Sequence, residues 1–207
     1  MLNKYIHMKY CLLVLFAIQI PPTLQALDHI LNQIESPTLI VRVPTSAGKL
    51  RQLDIQLNQK SLSQKNKVTI RREIDETIQK TKEYFKTIHS LFIQSYTVGN
   101  VLFVPDTLYK RYLEGDTSVF ISDAGDIIRI DLYGKNLLHI IQGKDEYQLL
   151  LTDKYGNKLG NPWPYKKSTF FSVLKQLFNS KSYLYDQIVW FDQKIRLAMY
   201  QEIKETK

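Results

Sequence analysis

The sequence predicts an α+β fold, a long amphipathic helix packed on an antiparallel β-meander, and three observations carry that prediction. From Thr69 to Tyr96, apolar residues recur at steps of three and four, at Ile70, Ile74, Ile78, Phe85, Ile88, Phe92 and Tyr96, with Thr81 filling the gap. That is the stripe of one amphipathic helix. Downstream, the short runs TSVFISD, IIRIDLY, LLHIIQ and YQLLLTD carry β-branched or aromatic residues and are separated by turns at Asp123-Ala124-Gly125-Asp126, Gly134-Lys135-Asn136 and GKDE. In the second run Ile128, Ile130 and Leu132 alternate with Arg129 and Asp131, the pattern of a strand with one dry face. A lone helix of this kind is not stable in water, so the dry face of the meander is the surface it is expected to cover.

The remaining elements follow in order. Residues 27–35 carry a short helical stripe at Leu27, Ile30, Leu31 and Ile34, stopped by Pro37. TLIVRVP (38–44) and KLRQLDIQL (49–57) read as the two strands of an N-terminal β-hairpin around a TSAG turn. In the second strand Leu53, Ile55 and Leu57 alternate with Gln52, Asp54 and Gln56. The polar stretch SLSQKNK (61–67) reads as a loop and a boundary. NVLFVP (100–105) is expected as a strand and residues 105–115 as a short helix. Two C-terminal helices close the chain, one at Ser168–Asn179 capped by Ser168, and one from Tyr183 to Glu202 that buries Leu184, Ile188, Phe191, Ile195 and Ala198. The expected organisation is a leader (1–26), an N-terminal arm (27–66) and an α+β domain (67–207), compact as a whole. In outline, a long helix ahead of a meander is similar to cystatin-like and NTF2-like exported domains, with no motif behind the likeness.

Residues 1–26 have the layout of a cleavable signal peptide. Lys4 and Lys9 precede the apolar run CLLVLFAIQI, which is followed by Pro21-Pro22 and a stretch ending at Ala26. Met8 offers an alternative start, and Leu24 is larger than the residue usually found three positions before the cut. The run is shorter than the ~20 apolar residues that span a bilayer. A secreted or periplasmic location is therefore expected. Cleavage removes Cys11, the only cysteine, so the mature chain has no disulfide, thiolate nucleophile or thiolate metal site. Of the formal charge of +8, the leader takes Lys4 and Lys9, leaving a basic mature chain suited to a protein partner or an anionic envelope surface. Export sets nucleic acid aside as a partner.

The chemistry-bearing residues are sparse. His29, His89 and His139 survive cleavage, and none stands in a metal-binding or triad spacing. His139 or His89 would serve as a general base if a carboxylate oriented it, which defines a hydrolase alternative. The acids Asp123, Asp126, Asp145, Glu146 and Asp153 sit in turns, where Asp caps local backbone donors. No phosphate cradle, nucleophile elbow or calcium loop is present, so no metal or cofactor is expected. The main expectation is a non-catalytic exported module for binding or assembly, with secreted effector activity on another cell as a further alternative. Its contact patch is placed at Trp163, Tyr165, Lys166 and Lys167, where two prolines hold rigid aromatics beside a pair of positive charges.

Overall fold

The computed structural model describes residues 36–143, 147–167 and 179–206. These contain β1 (Thr38–Val43), α1 (Ala47–Leu57), α2 (Gln64–Ser95), β2 (Asn100–Pro105), α3 (Tyr109–Leu113), β3 (Phe120–Ile121), β4 (Ile127–Ile128), β5 (Leu137–Gln142), β6 (Leu149–Thr152) and α4 (Ser180–Thr206). The chain is mixed α and β, as expected, with a long helix against a six-stranded sheet of order β4-β3-β2-β1-β5-β6. The expected leader, the helix at 27–35 and nearly all of the helix at 168–179 lie outside the described residues.

The centre of the sheet is dictated by TLIVRV. Every residue of β1 except Arg42 is buried, and a strand that is dry on both faces belongs inside a sheet with both faces covered. It pairs in parallel with β2 on one side and β5 on the other. The outer pairs β2–β3, β3–β4 and β5–β6 are antiparallel. The expected meander is thus split into two antiparallel flanks by a parallel centre.

Register fixes the two faces. Val41 lies beside Phe103 and Ile140, and Phe103 meets Phe85, His89 and Phe92 of α2 at ring distances of 5.8, 4.8 and 6.1 Å. This face carries α2, with α4 packed on α2. Ile40 lies beside Leu102 and His139 and points the other way, into a cluster with Val104, Tyr109, Tyr112, Val119 and Phe120. The β1–β2 connection runs through α1 and α2. The β2–β5 connection passes through α3, β3 and β4 and returns with Ile130 and Leu132 packed against the Ile40 cluster.

Two local differences have clear causes. KLRQLDIQL is helix α1 and not the second strand of a hairpin. Leu50, Leu53 and Leu57 fit helical steps of three and four as well as Leu53, Ile55 and Leu57 fit alternation. The helix buries Leu53 and leaves Ile55 57% exposed. α2 starts at Gln64, inside the polar stretch expected as a loop, because the Ser63 side chain accepts a hydrogen bond from Asn66 N at 3.3 Å and caps it. In the last helix, Leu184, Ile188, Phe191, Ile195 and Ala198 are all buried as expected. No helix among the described residues is long and apolar enough to cross a membrane.

Candidate functional site

β1, β2 and β5 run in the same direction and finish side by side at Val43, Pro105 and Gln142. From β1 the chain departs to the α2 face, and from β2 to the α3 face. In open α/β sheets such a divergence leaves a crevice beyond the strand ends, where ligands bind. Here Thr45 closes the β1 and β2 ends together. Its backbone N and its hydroxyl both donate to Asp106 Oδ1, at 3.1 and 2.5 Å. Ser46 follows with φ of 56°, a left-handed conformation strained for a residue with a Cβ. It stands at the N-cap of α1 without capping it. Its hydroxyl lies 2.9 Å from Thr81 Oγ1 on α2.

A cavity of about 240 Å³ opens at this point. Its walls are Pro44, Ser46 and Lys49 after β1, Thr77, Lys80, Thr81 and Tyr84 on α2, and Gln142 at the end of β5. A smaller cavity of about 170 Å³ shares Pro44 and Gln142 and adds Arg42, Asp106 and Ile141. Among the described residues the larger one has two lysines and no carboxylate in its wall. Lys49 reaches Glu73 Oε1 at 3.1 Å in a half-exposed ion pair, which water screens strongly. Lys80 makes no ion pair among the described residues. The N-terminal end of α1, with its partial positive charge, adds to the same field. The hydroxyls are anchored: Thr81 Oγ1 donates to Thr77 O at 2.9 Å and Thr77 Oγ1 to Glu73 O at 2.7 Å. Such a wall is rigid and polar, and it favours an anion. Charge is also segregated along the chain, with eleven Lys and Arg against five acids over residues 36–99 and six against nine over 100–157.

Both candidate histidines have partners. His89 Nε2 lies 3.0 Å from Asp123 Oδ1, and its ring rests on Phe103. Among the described residues no hydroxyl bonds its other nitrogen. His139 is 3% exposed, with Nε2 at 2.8 Å from Tyr112 OH. Its Nδ1 and the Thr152 hydroxyl, in register on the neighbouring strand, are both buried without a hydrogen-bond partner among the described residues. Neither histidine borders the cavities at the strand ends.

Burial holds the His139 pKa down to about 4, with Asp153 raising it and Lys154 lowering it as smaller effects. Burial likewise pushes the Tyr112 phenol up to about 12, with Tyr109 adding to the rise. Above about pH 6.5, His139 is neutral folded or unfolded and contributes no pH dependence. Between there and about pH 4 only the unfolded chain takes the proton, so stability falls as pH falls, by on the order of 2–3 kcal/mol in total. Urea midpoints across this range should drop in the wild type. His139→Gln, which does not titrate, should flatten that component; an unchanged profile would show that the ring is not held neutral.

The aromatic segment is folded down. Trp163 and Tyr165 are half-buried. The indole donates to Glu202 Oε1 at 2.8 Å, and Tyr165 O accepts from Leu151 N at 2.8 Å, covering the edge of β6. Lys167 Nζ donates to Asp186 O at 3.3 Å, while Lys166 is exposed. The four do not border the cavities at the strand ends. No group of three or more metal-ligating residues occurs among the described residues.

Sequence reasoning missed Ser46, Lys49, Lys80 and Gln142. One signal was present: Thr77, Thr81 and Tyr84 put hydroxyls, at steps of four and three, along the apolar stripe of α2. No family model, curated protein or solved structure matches the chain.

Proposed function

We propose that the chain is an exported, non-catalytic module that binds a phosphate-type anion, free or borne by an envelope component, at the carboxyl ends of β1 and β5. The observation that carries this reading is the 240 Å³ cavity with Lys49 and Lys80 in its wall and no carboxylate among its described lining residues. Lys49 shares its charge with the neighbouring Glu73, and Lys80 makes no ion pair among the described residues. Lysines present rotatable point charges, which suit a tetrahedral anion without demanding the planar fork that arginine offers a carboxylate. The cavity admits a headgroup or a small solute. Export is supported by the layout of residues 1–26, and the intact mass of the native protein tests it. The couple at His89 and Asp123 has the distance that proton transfer needs, but among the described residues no hydroxyl is hydrogen-bonded to His89, so binding is the preferred reading.

Calorimetric titration with hexyl phosphate tests the site. Lys80→Ala should weaken binding at least fivefold, and binding should weaken further as salt rises. Trp163→Ala should leave it unchanged. Wild-type affinity in Lys80→Ala, or no binding by the wild type, would overturn the assignment.

A further inference from the structure

The wall of the anion cavity continues past Tyr84. A further cavity, of about 360 Å³, shares Lys80 and Tyr84 with the anion cavity and is completed by Tyr147 and by Ser180 and Lys181 at the described start of α4. Tyr84 and Tyr147 stand with ring centroids 6.0 Å apart. Lys181 is exposed and makes no ion pair among the described residues. Among the described residues Glu83 is the single acid in this wall, against Lys80 and Lys181. On the opposite side of Lys80 another cavity, of about 290 Å³, has Lys49 and Arg72 in its wall, but Glu73 and Glu76 line it too and pair with them. This leaves the Tyr84 side, where Lys181 is unpaired among the described residues, as the way a bound ligand extends.

We infer that the ligand carries two phosphate groups, one beside Lys49 and Lys80 and the other beside Lys181, with its body lying across Tyr84. This rests on the anion-binding function proposed above and specifies its ligand. A second phosphate on the same molecule engages Lys181 at the high effective concentration that tethering provides, so the gain exceeds what a separate phosphate would obtain. The tyrosine side chains between the two lysines offer an apolar surface to the linking carbons.

The test compares hexyl phosphate with hexane-1,6-diol bisphosphate, which share a chain and differ in the second phosphate. The wild type should bind the bisphosphate at least tenfold tighter. Lys181→Ala should abolish that advantage and leave the affinity for hexyl phosphate unchanged, while Lys80→Ala weakens both. Circular dichroism verifies that both variants are folded, as expected for substitutions of exposed lysines. Equal affinities of the wild type for the two probes, or an undiminished advantage in Lys181→Ala, would overturn the two-phosphate inference and leave the single anion site standing. Failure of the wild type to bind either probe would remove both.

Discussion

Replacing Gly99 with alanine should destabilise the protein by about 3 kcal/mol, the upper end of what overpacking costs. Gly99 precedes β2 just as Pro37 precedes β1, and the next residues of the two strands, Thr38 and Asn100, are paired. A Cβ on Gly99 would sit 2.0 Å from the Pro37 carbonyl oxygen and 3.1 Å from its carbon. Both atoms are backbone, so no rotamer change relieves the clash. The first pair of the central parallel ladder has to separate, and with it the bond from Thr38 N to Asn136 O that ties β1 to the approach of β5. For a chain of this size the loss corresponds to a melting temperature lower by about 6–12 °C. Gly48→Ala is the matched control. Nothing lies within 4 Å of its Cβ, and alanine inside a helix gains up to about 1 kcal/mol over glycine. A melting temperature for Gly99→Ala equal to the wild type would mean that the backbones of β1 and β2 are not this close at their starts.

Gln187→Ala should cost about 2–4 kcal/mol, because it leaves both a void and two unmet backbone groups. Gln187 is fully buried on α4. Its Oε1 accepts from Leu149 N at 2.9 Å, and its Nε2 donates to Tyr147 O at 2.7 Å. One side chain therefore satisfies the backbone at the start of β6, on the edge away from β5, and holds α4 against the sheet. Gln187→Leu separates the contributions. It restores most of the volume and none of the bonds, so about 2 kcal/mol of the loss should persist. Hydrogen exchange at the Leu149 amide should quicken in both variants. Wild-type stability in Gln187→Leu would assign the residue to packing alone.

How much was legible in the sequence depended on how many faces an element buries. α2 and α4 each bury one stripe, and their steps of three and four were plain, down to the five residues from Leu184 to Ala198. β2 and β5 were also found, at Asn100–Pro105 and Leu137–Gln142, because turn residues bound them. IIRIDLY was read as a full strand from its alternation, but only Ile127–Ile128 pair. Ile130 and Leu132 spend their apolar character on the Ile40 cluster as the chain crosses the sheet. A nine-residue amphipathic segment such as 49–57 satisfies both periods, and tertiary packing chose the helix. The parallel centre was hidden because strand order depends on contacts between residues far apart in the chain. The candidate site was hidden for the same reason. Lys49, Lys80 and Gln142 are unremarkable singly and meet only when β1 and β5 lie side by side under α2. The four residues chosen from local composition, Trp163 to Lys167, are instead engaged largely with β6 and α4.

Titration of ¹⁵N-labelled protein with hexyl phosphate, followed residue by residue, is the most direct measurement of where an anion binds. Binding at the carboxyl ends of the parallel strands predicts saturable shifts at the amides of Ser46 through Leu50, at Lys80 and Thr81, and at Gln142, with the Trp163 indole unmoved. Shifts centred on Trp163, Tyr165 and Lys166, or a spectrum unchanged at millimolar ligand, would contradict it.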